Sequence, residues 1–166
     1  GDVYKRQIFN LLGPHTNPCN AKRQILGVYD KGLLKTFGNV SNLLKMRHVL
    51  VVHGNDGLDE ISITDKTFVT ELKDGNLNQF EIQPEDFGLS RANITALKAE
   101  TPEESLELIN AAFEGKESPV QDMISLNEGA SLYLSSASNS IKDGVSLAKE
   151  LLNNGKAKQT LSLIHI

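Results

Sequence analysis

The order of its elements places this chain in the α/β class: a partial, mainly parallel sheet with an antiparallel hairpin at its margin, followed by C-terminal helices. Three observations carry that expectation. The run His48-Val49-Leu50-Val51-Val52-His53-Gly54 has the unbroken β-branched character of a parallel strand buried on both faces. Asp74-Gly75 separates two short alternating segments, a hairpin signal. The last third pairs helix-capping residues with apolar residues at helical spacing.

The elements follow in order. Ile8 to Pro14 is a short apolar piece stopped by Gly-Pro, and Asn17-Pro18 marks a turn. Ile25 to Tyr29 reads as a brief strand. From Gly32, Leu33, Phe37, Val40 and Leu44 share one face of an amphipathic helix. With the His48–Gly54 run this makes a strand–helix–strand unit, whose crossover is expected to be right-handed. Ile61 to Thr64, Thr67 to Leu72 and Leu77 to Ile82 read as short strands. Thr101-Pro102-Glu103-Glu104 combines an N-cap, a proline at the first helical position and a capping-box glutamate. Leu106, Ile109 and Phe113 supply that helix's expected apolar stripe, with Gly115 as its stop. A second helix spans about Pro119 to Ser135, with Met123, Leu126, Ala130 and Leu134 on one face. A third starts after Ser140, buries Ile141, Val145, Ala148 and Leu152, and stops at Gly155.

Composition sets the outer bounds. With 166 residues, 39% hydrophobic and 23% charged, the chain suits one globular domain. Seventeen Lys and Arg against 21 Asp and Glu give a net charge of −4, which argues against a dedicated nucleic-acid or anionic-membrane binder. A single cysteine, Cys19, excludes an intramolecular disulfide and any multi-cysteine zinc site. No apolar run reaches the length of a membrane span and no secretory signal opens the chain, so a cytoplasmic setting is expected.

The two ends read as foreign. Asp2 to Gln7, DVYKRQ, can be encoded by GAT GTG TAT AAG AGA CAG, whose reverse complement encodes Leu-Ser-Leu-Ile-His-Ile, residues 161–166. Two unrelated segments have no reason to be inverted copies in DNA, so residues 1–7 and 161–166 are expected to be adapter-derived. Residues 8–160 are then expected to be a window of a longer protein.

The chemistry concentrates after the buried strand, in Gly54-Asn55-Asp56-Gly57-Leu58-Asp59-Glu60. Ligands of open α/β sheets bind at the carboxyl ends of parallel strands. Three carboxylates within five residues, between glycines that permit sharp turns, suit a hard cation such as magnesium that also bridges substrate phosphates. A solvated acidic turn fits the same spacing, and both readings stand on these residues alone. His48 and His53 are expected to make structural hydrogen bonds rather than to act in catalysis.

Val51-Val52-His53-Gly54-Asn55-Asp56-Gly57-Leu58-Asp59-Glu60, together with Phe9-Asn10-Leu11-Leu12-Gly13-Pro14 and Asn17-Pro18, resembles the anthranilate phosphoribosyltransferases. The likeness continues through Gln24, Gly27-Val28-Tyr29, Glu71-Leu72, Pro84 to Leu89, Leu126-Asn127 and Gly144-Val145. The resemblance implies the nucleoside phosphorylase/phosphoribosyltransferase type of α/β domain, and transfer of the 5-phosphoribosyl group from phosphoribosyl pyrophosphate (PRPP) to anthranilate in tryptophan biosynthesis. It implies Mg2+ held by Asp59 and Glu60, neither of them a nucleophile, and a substrate-binding role for Gly13 and Pro14 along the route of anthranilate. PRPP and anthranilate are the implied small-molecule partners, with no nucleic acid and no membrane.

The sequence departs from the family in places. His15 replaces a commonly apolar residue, Ala99-Glu100-Thr101 a frequent Gly-Gly-Asp, and Asn127-Glu128-Gly129 the usual Asn-Ala-Ala. The family's Gly-rich PRPP loop, its Lys-His-Gly-Asn segment, its anthranilate-binding Arg and its small N-terminal helical domain, which forms the homodimer interface, are expected upstream of Ile8. The 166 residues alone are therefore expected to hold a magnesium half-site without transferase activity. The alternative is a non-catalytic, nucleic-acid-binding paralogue of the same fold, against which the acidic balance and the Asp59-Glu60 pair both weigh.

Overall fold

A computed structural model of the chain describes residues 21–162. The expected features at Ile8 to Pro18, Gly13 and Pro14 among them, and Cys19 lie outside these residues.

Four strands form one sheet in the order β1 (Arg23–Gly27), β2 (His48–Gly54), β3 (Thr67–Lys73) and β4 (Asn76–Ile82). β1 and β2 run parallel, with Gly27 opposite Val52, and helix α1 (Leu33–Leu43) connects them. β2–β3 and β3–β4 are antiparallel. The mixed α/β sheet with a hairpin margin thus stands as expected, but among the described strands the parallel character is confined to the first pair. Asp74 and Gly75 both take positive φ, 48° and 85°, which gives the two-residue turn its twist.

β2 shows why the sheet forms. Its side chains alternate between two layers, and both are apolar. Val49 and Val51 face α1, packing with Leu26, Leu34, Phe37 and Leu72. Leu50 and Val52 face the opposite layer, built from α3 (Pro119–Ser135) and α4 (Ile141–Asn153), where they meet Leu126, Ala130, Leu134 and Val145. All four β2 residues are fully buried. Burying such side chains contributes about 1.5–3 kcal/mol each, so a strand buried on both faces anchors both layers.

The last helices, α2 (Pro102–Phe113), α3, α4 and α5 (Lys156–Ser162), begin largely where their caps dictate. The hydroxyls of Thr101, Ser118 and Ser140 accept from the backbone N–H of Glu104, Gln121 and Asp143. α3 and α4 lie in backbone contact at Gly129 and Gly144, where a Cβ on Gly144 would come within 2.2 Å of the Gly129 carbonyl oxygen.

Three expectations fail locally. Leu44 lies beyond the end of α1 and is exposed, because the buried face of α1 runs through Leu34, Phe37, Gly38 and Ser41. Leu106 and Ile109 of α2 are exposed; that helix turns Ala112 inward instead. Ile61 to Thr64 joins no strand, although Ile61 and Ile63 are buried. In place of a ladder its backbone is met mostly by side chains: Ser62 N donates to Thr67 Oγ1 (2.9 Å) and Thr64 N to Ser62 Oγ (2.9 Å), while Ile63 O accepts from Ala92 N (2.9 Å).

Candidate metal-binding loop

β1 and β2 end side by side, and the loop 54–60 begins at the carboxyl end of β2. Gly54 N donates to Leu58 O (2.8 Å) and Gly57 N to Gly54 O (2.9 Å), closing a tight turn with Gly57 at φ 93°. At the ends of the two strands, Val28 N donates to Val52 O (3.0 Å) and His53 Nδ1 to Val28 O (2.8 Å). His53 thus has the structural role expected of it, as does His48 through its 2.7 Å bond to Glu71.

The three carboxylates of the loop separate into two kinds. Asp56 is spent on the turn. Its Oδ1 accepts from Leu58 N (3.1 Å), and its Oδ2 accepts from the hydroxyls of Ser62 and Thr64. Partial burial pushes its pKa up, but these hydrogen bonds outweigh that and hold the carboxyl below its ordinary range. Asp59 and Glu60, in contrast, are exposed and have no hydrogen-bond or salt-bridge partner among the described residues.

Such a pair fits the requirements of Mg2+, a hard cation held by one or two carboxylates with water and phosphate oxygens completing its shell. Among the described residues no group of three or more His, Cys, Asp or Glu is placed to hold a metal, so an all-protein cage is absent there. A site completed by substrate is the arrangement these two residues suit.

The loop is braced on several sides. Gly27, the last residue of β1, lies against the Asp59 backbone with no space for a side chain. Asn55 N donates to Lys66 O (2.9 Å), and Asn55 Nδ2 to Asp65 Oδ2 (2.6 Å). Asp65 in turn pairs with Arg91 at 3.0 Å. The hydrogen bond from Asn55, followed by the Lys66 backbone N–H and the Arg91 charge, holds the Asp65 carboxyl below its usual pKa. From the helical layer, Asn127 of α3 reaches the Ile61 backbone.

The glycosyl transferase family, a/b domain, matches residues 2–158. The chain belongs to this family. Within it, the chain is 43% identical over 160 residues to the anthranilate phosphoribosyltransferase of Vesicomyosocius okutanii, covering 96% of this chain and 47% of that protein. The anthranilate phosphoribosyltransferase of Thermus thermophilus superposes with a TM-score of 0.84 at 36% identity, covering 93% of this chain and 46% of that one. The Saccharomyces cerevisiae enzyme in complex with PRPP and Mg superposes with a TM-score of 0.74 at 28% identity, covering 84% and 41%. The chain spans about half the length of these family members.

Gly27 and Asn127 touch the main chain on either side of the acidic pair, at Asp59 and at Ile61. In the sequence both were visible only as parts of matching blocks. A signal for Asn127 exists nonetheless. Asparagine is a poor residue for a helix interior, because its amide competes for backbone bonds, so an Asn between Leu126 and Ala130 marks a side chain bonding to main chain.

Proposed function

We propose that this chain is part of an anthranilate phosphoribosyltransferase about twice its length, which transfers the 5-phosphoribosyl group of PRPP to anthranilate in tryptophan biosynthesis. The carrying observation is the Asp59–Glu60 pair: adjacent exposed carboxylates at the carboxyl end of β2, left without partners among the described residues. In the reaction the bond from ribose C1 to pyrophosphate breaks, a bond from C1 to the anthranilate nitrogen forms, and that nitrogen gives up a proton. Negative charge gathers on the leaving pyrophosphate, and a bound Mg2+ supplies the charge that stabilises it. Asp59 and Glu60 are the residues that would hold the ion. Asp56 does not join them, since both its oxygens already serve the turn.

Gly13 and Pro14 are proposed to line the path of anthranilate, and the whole protein is proposed to be a homodimer; both proposals rest on the family resemblance. No described helix is long and apolar enough to cross a membrane.

The test uses the whole protein in a tryptophan auxotroph, with anthranilate consumption followed by its fluorescence. The unaltered protein restores growth, and Asp59→Ala with Glu60→Ala abolishes rescue. Growth unaffected by the double change removes the metal role. Failure of the unaltered protein to consume anthranilate with PRPP removes the proposed activity.

A further inference from the structure

We infer that Asn127 is a positioning residue for the Asp59–Glu60 pair, acting from α3 through the backbone of Ile61. The inference rests on the metal reading proposed above. Asn127 Oδ1 accepts from Ile61 N (3.1 Å), while its Nδ2 donates to Ile61 O (2.9 Å) and to Met123 O (3.0 Å). The carboxamide therefore brackets one residue 66 positions away, satisfying both of its backbone groups and using both of its own N–H donors.

The location of the bracket gives it consequence. The Ile61 N–H belongs to the same rigid peptide plane as the Glu60 carbonyl, so holding one fixes the other. That plane also contains the Glu60 Cα, so the bracket holds the point from which the Glu60 side chain leaves the chain. Sheet pairing cannot do this, because residues 61–64 join no strand. The other side chains that accept this segment's backbone N–H groups, Ser62 and Thr67, belong to the loop and the strand it enters. Asn127 is the contact that ties the segment to the helical layer through hydrogen bonds, and the Ile61 side chain, 1% exposed, packs into that same layer with Leu126 and Ala130.

A purely local role accounts for less. The bond to Met123 O is an ordinary back-bond one turn earlier in the helix and needs only one N–H. It leaves the acceptor on Ile61 N and the second donor on Ile61 O unexplained, and these two bonds face the loop.

Groups that orient metal ligands from outside the coordination sphere typically contribute about 10–100-fold to metal affinity. The test therefore reads the Mg2+ requirement of the whole protein at saturating PRPP and anthranilate. Asn127→Ala is expected to raise the half-saturating Mg2+ concentration about 10-fold, with the loss concentrated there and not in the rate at saturating Mg2+. Asn127→Asp keeps an acceptor for Ile61 N but sets a carboxylate oxygen against Ile61 O and Met123 O where both donors were, and is expected to raise the requirement as well. It also keeps the question open to measurement if the alanine variant does not fold. Amide exchange of Ile61, followed by NMR in the same variants, is expected to speed up in both.

An unchanged Mg2+ requirement in a folded Asn127 variant, alongside a shifted requirement in Asp59→Asn, overturns the positioning role and leaves the metal reading standing. An unchanged requirement in both Asp59→Asn and Glu60→Gln overturns the metal reading, and the inference falls with it.

Discussion

The backbone of Gly27 runs directly against that of Asp59: a Cβ placed on Gly27 would lie 1.7 Å from the Asp59 carbonyl oxygen and 2.7 Å from its carbonyl carbon. Those atoms are main chain, so no side-chain rotation relieves the overlap. Gly27 also closes the register of β1, opposite Val52, and cannot retreat without breaking a parallel pairing. The end of one strand is therefore the floor on which the main chain of Asp59 rests.

Gly27→Ala is expected to push the 58–60 segment outward. The overpacking costs about 1–3 kcal/mol of stability, read from denaturant unfolding of this chain. In the whole protein, the same change is expected to raise the half-saturating Mg2+ concentration, since the shift begins at Asp59. Unchanged stability together with an unchanged Mg2+ requirement would show that the loop relaxes freely, against this packing.

Asp56 predicts a pH dependence of folding. Its folded pKa lies below the ordinary 3.8, so folding favours the ionised form. The contribution is complete above the unfolded value and is lost as pH falls through the lower folded value. Wild type is expected to be more stable than Asp56→Asn at pH 7. The gap between them narrows from about pH 5 downward. Urea unfolding of both proteins across this range checks it, and a gap that widens on acidification contradicts the sign.

These residues also show what the sequence revealed and what it hid. β2 was legible because a strand buried on both faces must be apolar throughout, and the hairpin because Asp74-Gly75 accepts positive φ. The cap at Thr101 was legible because helix termini need acceptors for their free N–H groups. Ile61 to Thr64 misled because two buried isoleucines at alternating positions mimic a strand. Its backbone partners are the side chains of Asn127, Thr67 and Ser62 and the main chain of Ala92, which no periodicity encodes. Leu106 and Ile109 misled because spacing fixes which residues share a face, not whether anything covers that face. In the loop, Asp56, Asp59 and Glu60 were visible together, but their division into one turn carboxylate and two free ones depends on the hydroxyls of Ser62 and Thr64. The role of Gly27 required the strand and the loop to be placed side by side.

The opposite end of β2 supplies the last expectation. His48 is 4% exposed, and its Nε2 lies 2.7 Å from Glu71 Oε1 on β3. Tyr133 of α3 donates its hydroxyl to the same oxygen at 2.9 Å, and its ring meets the His48 ring edge-on at 4.9 Å. Lys73 Nζ donates to the Tyr133 hydroxyl at 3.1 Å. Burial raises the Tyr133 pKa foremost, and the hydrogen bond to Glu71 raises it further against the opposing pull of Lys73, so the phenol stays a donor. Glu71 is therefore the shared acceptor that joins the sheet to α3, the helix that carries Asn127. Glu71→Ala strands a buried imidazole and is expected to cost about 1–3 kcal/mol. Tyr133→Phe removes one bond, leaves His48 paired, and is expected to cost about 1 kcal/mol. Denaturant midpoints of the two variants check the ranking. Equal losses would show that the Tyr133 hydroxyl, rather than the histidine pair, dominates this junction.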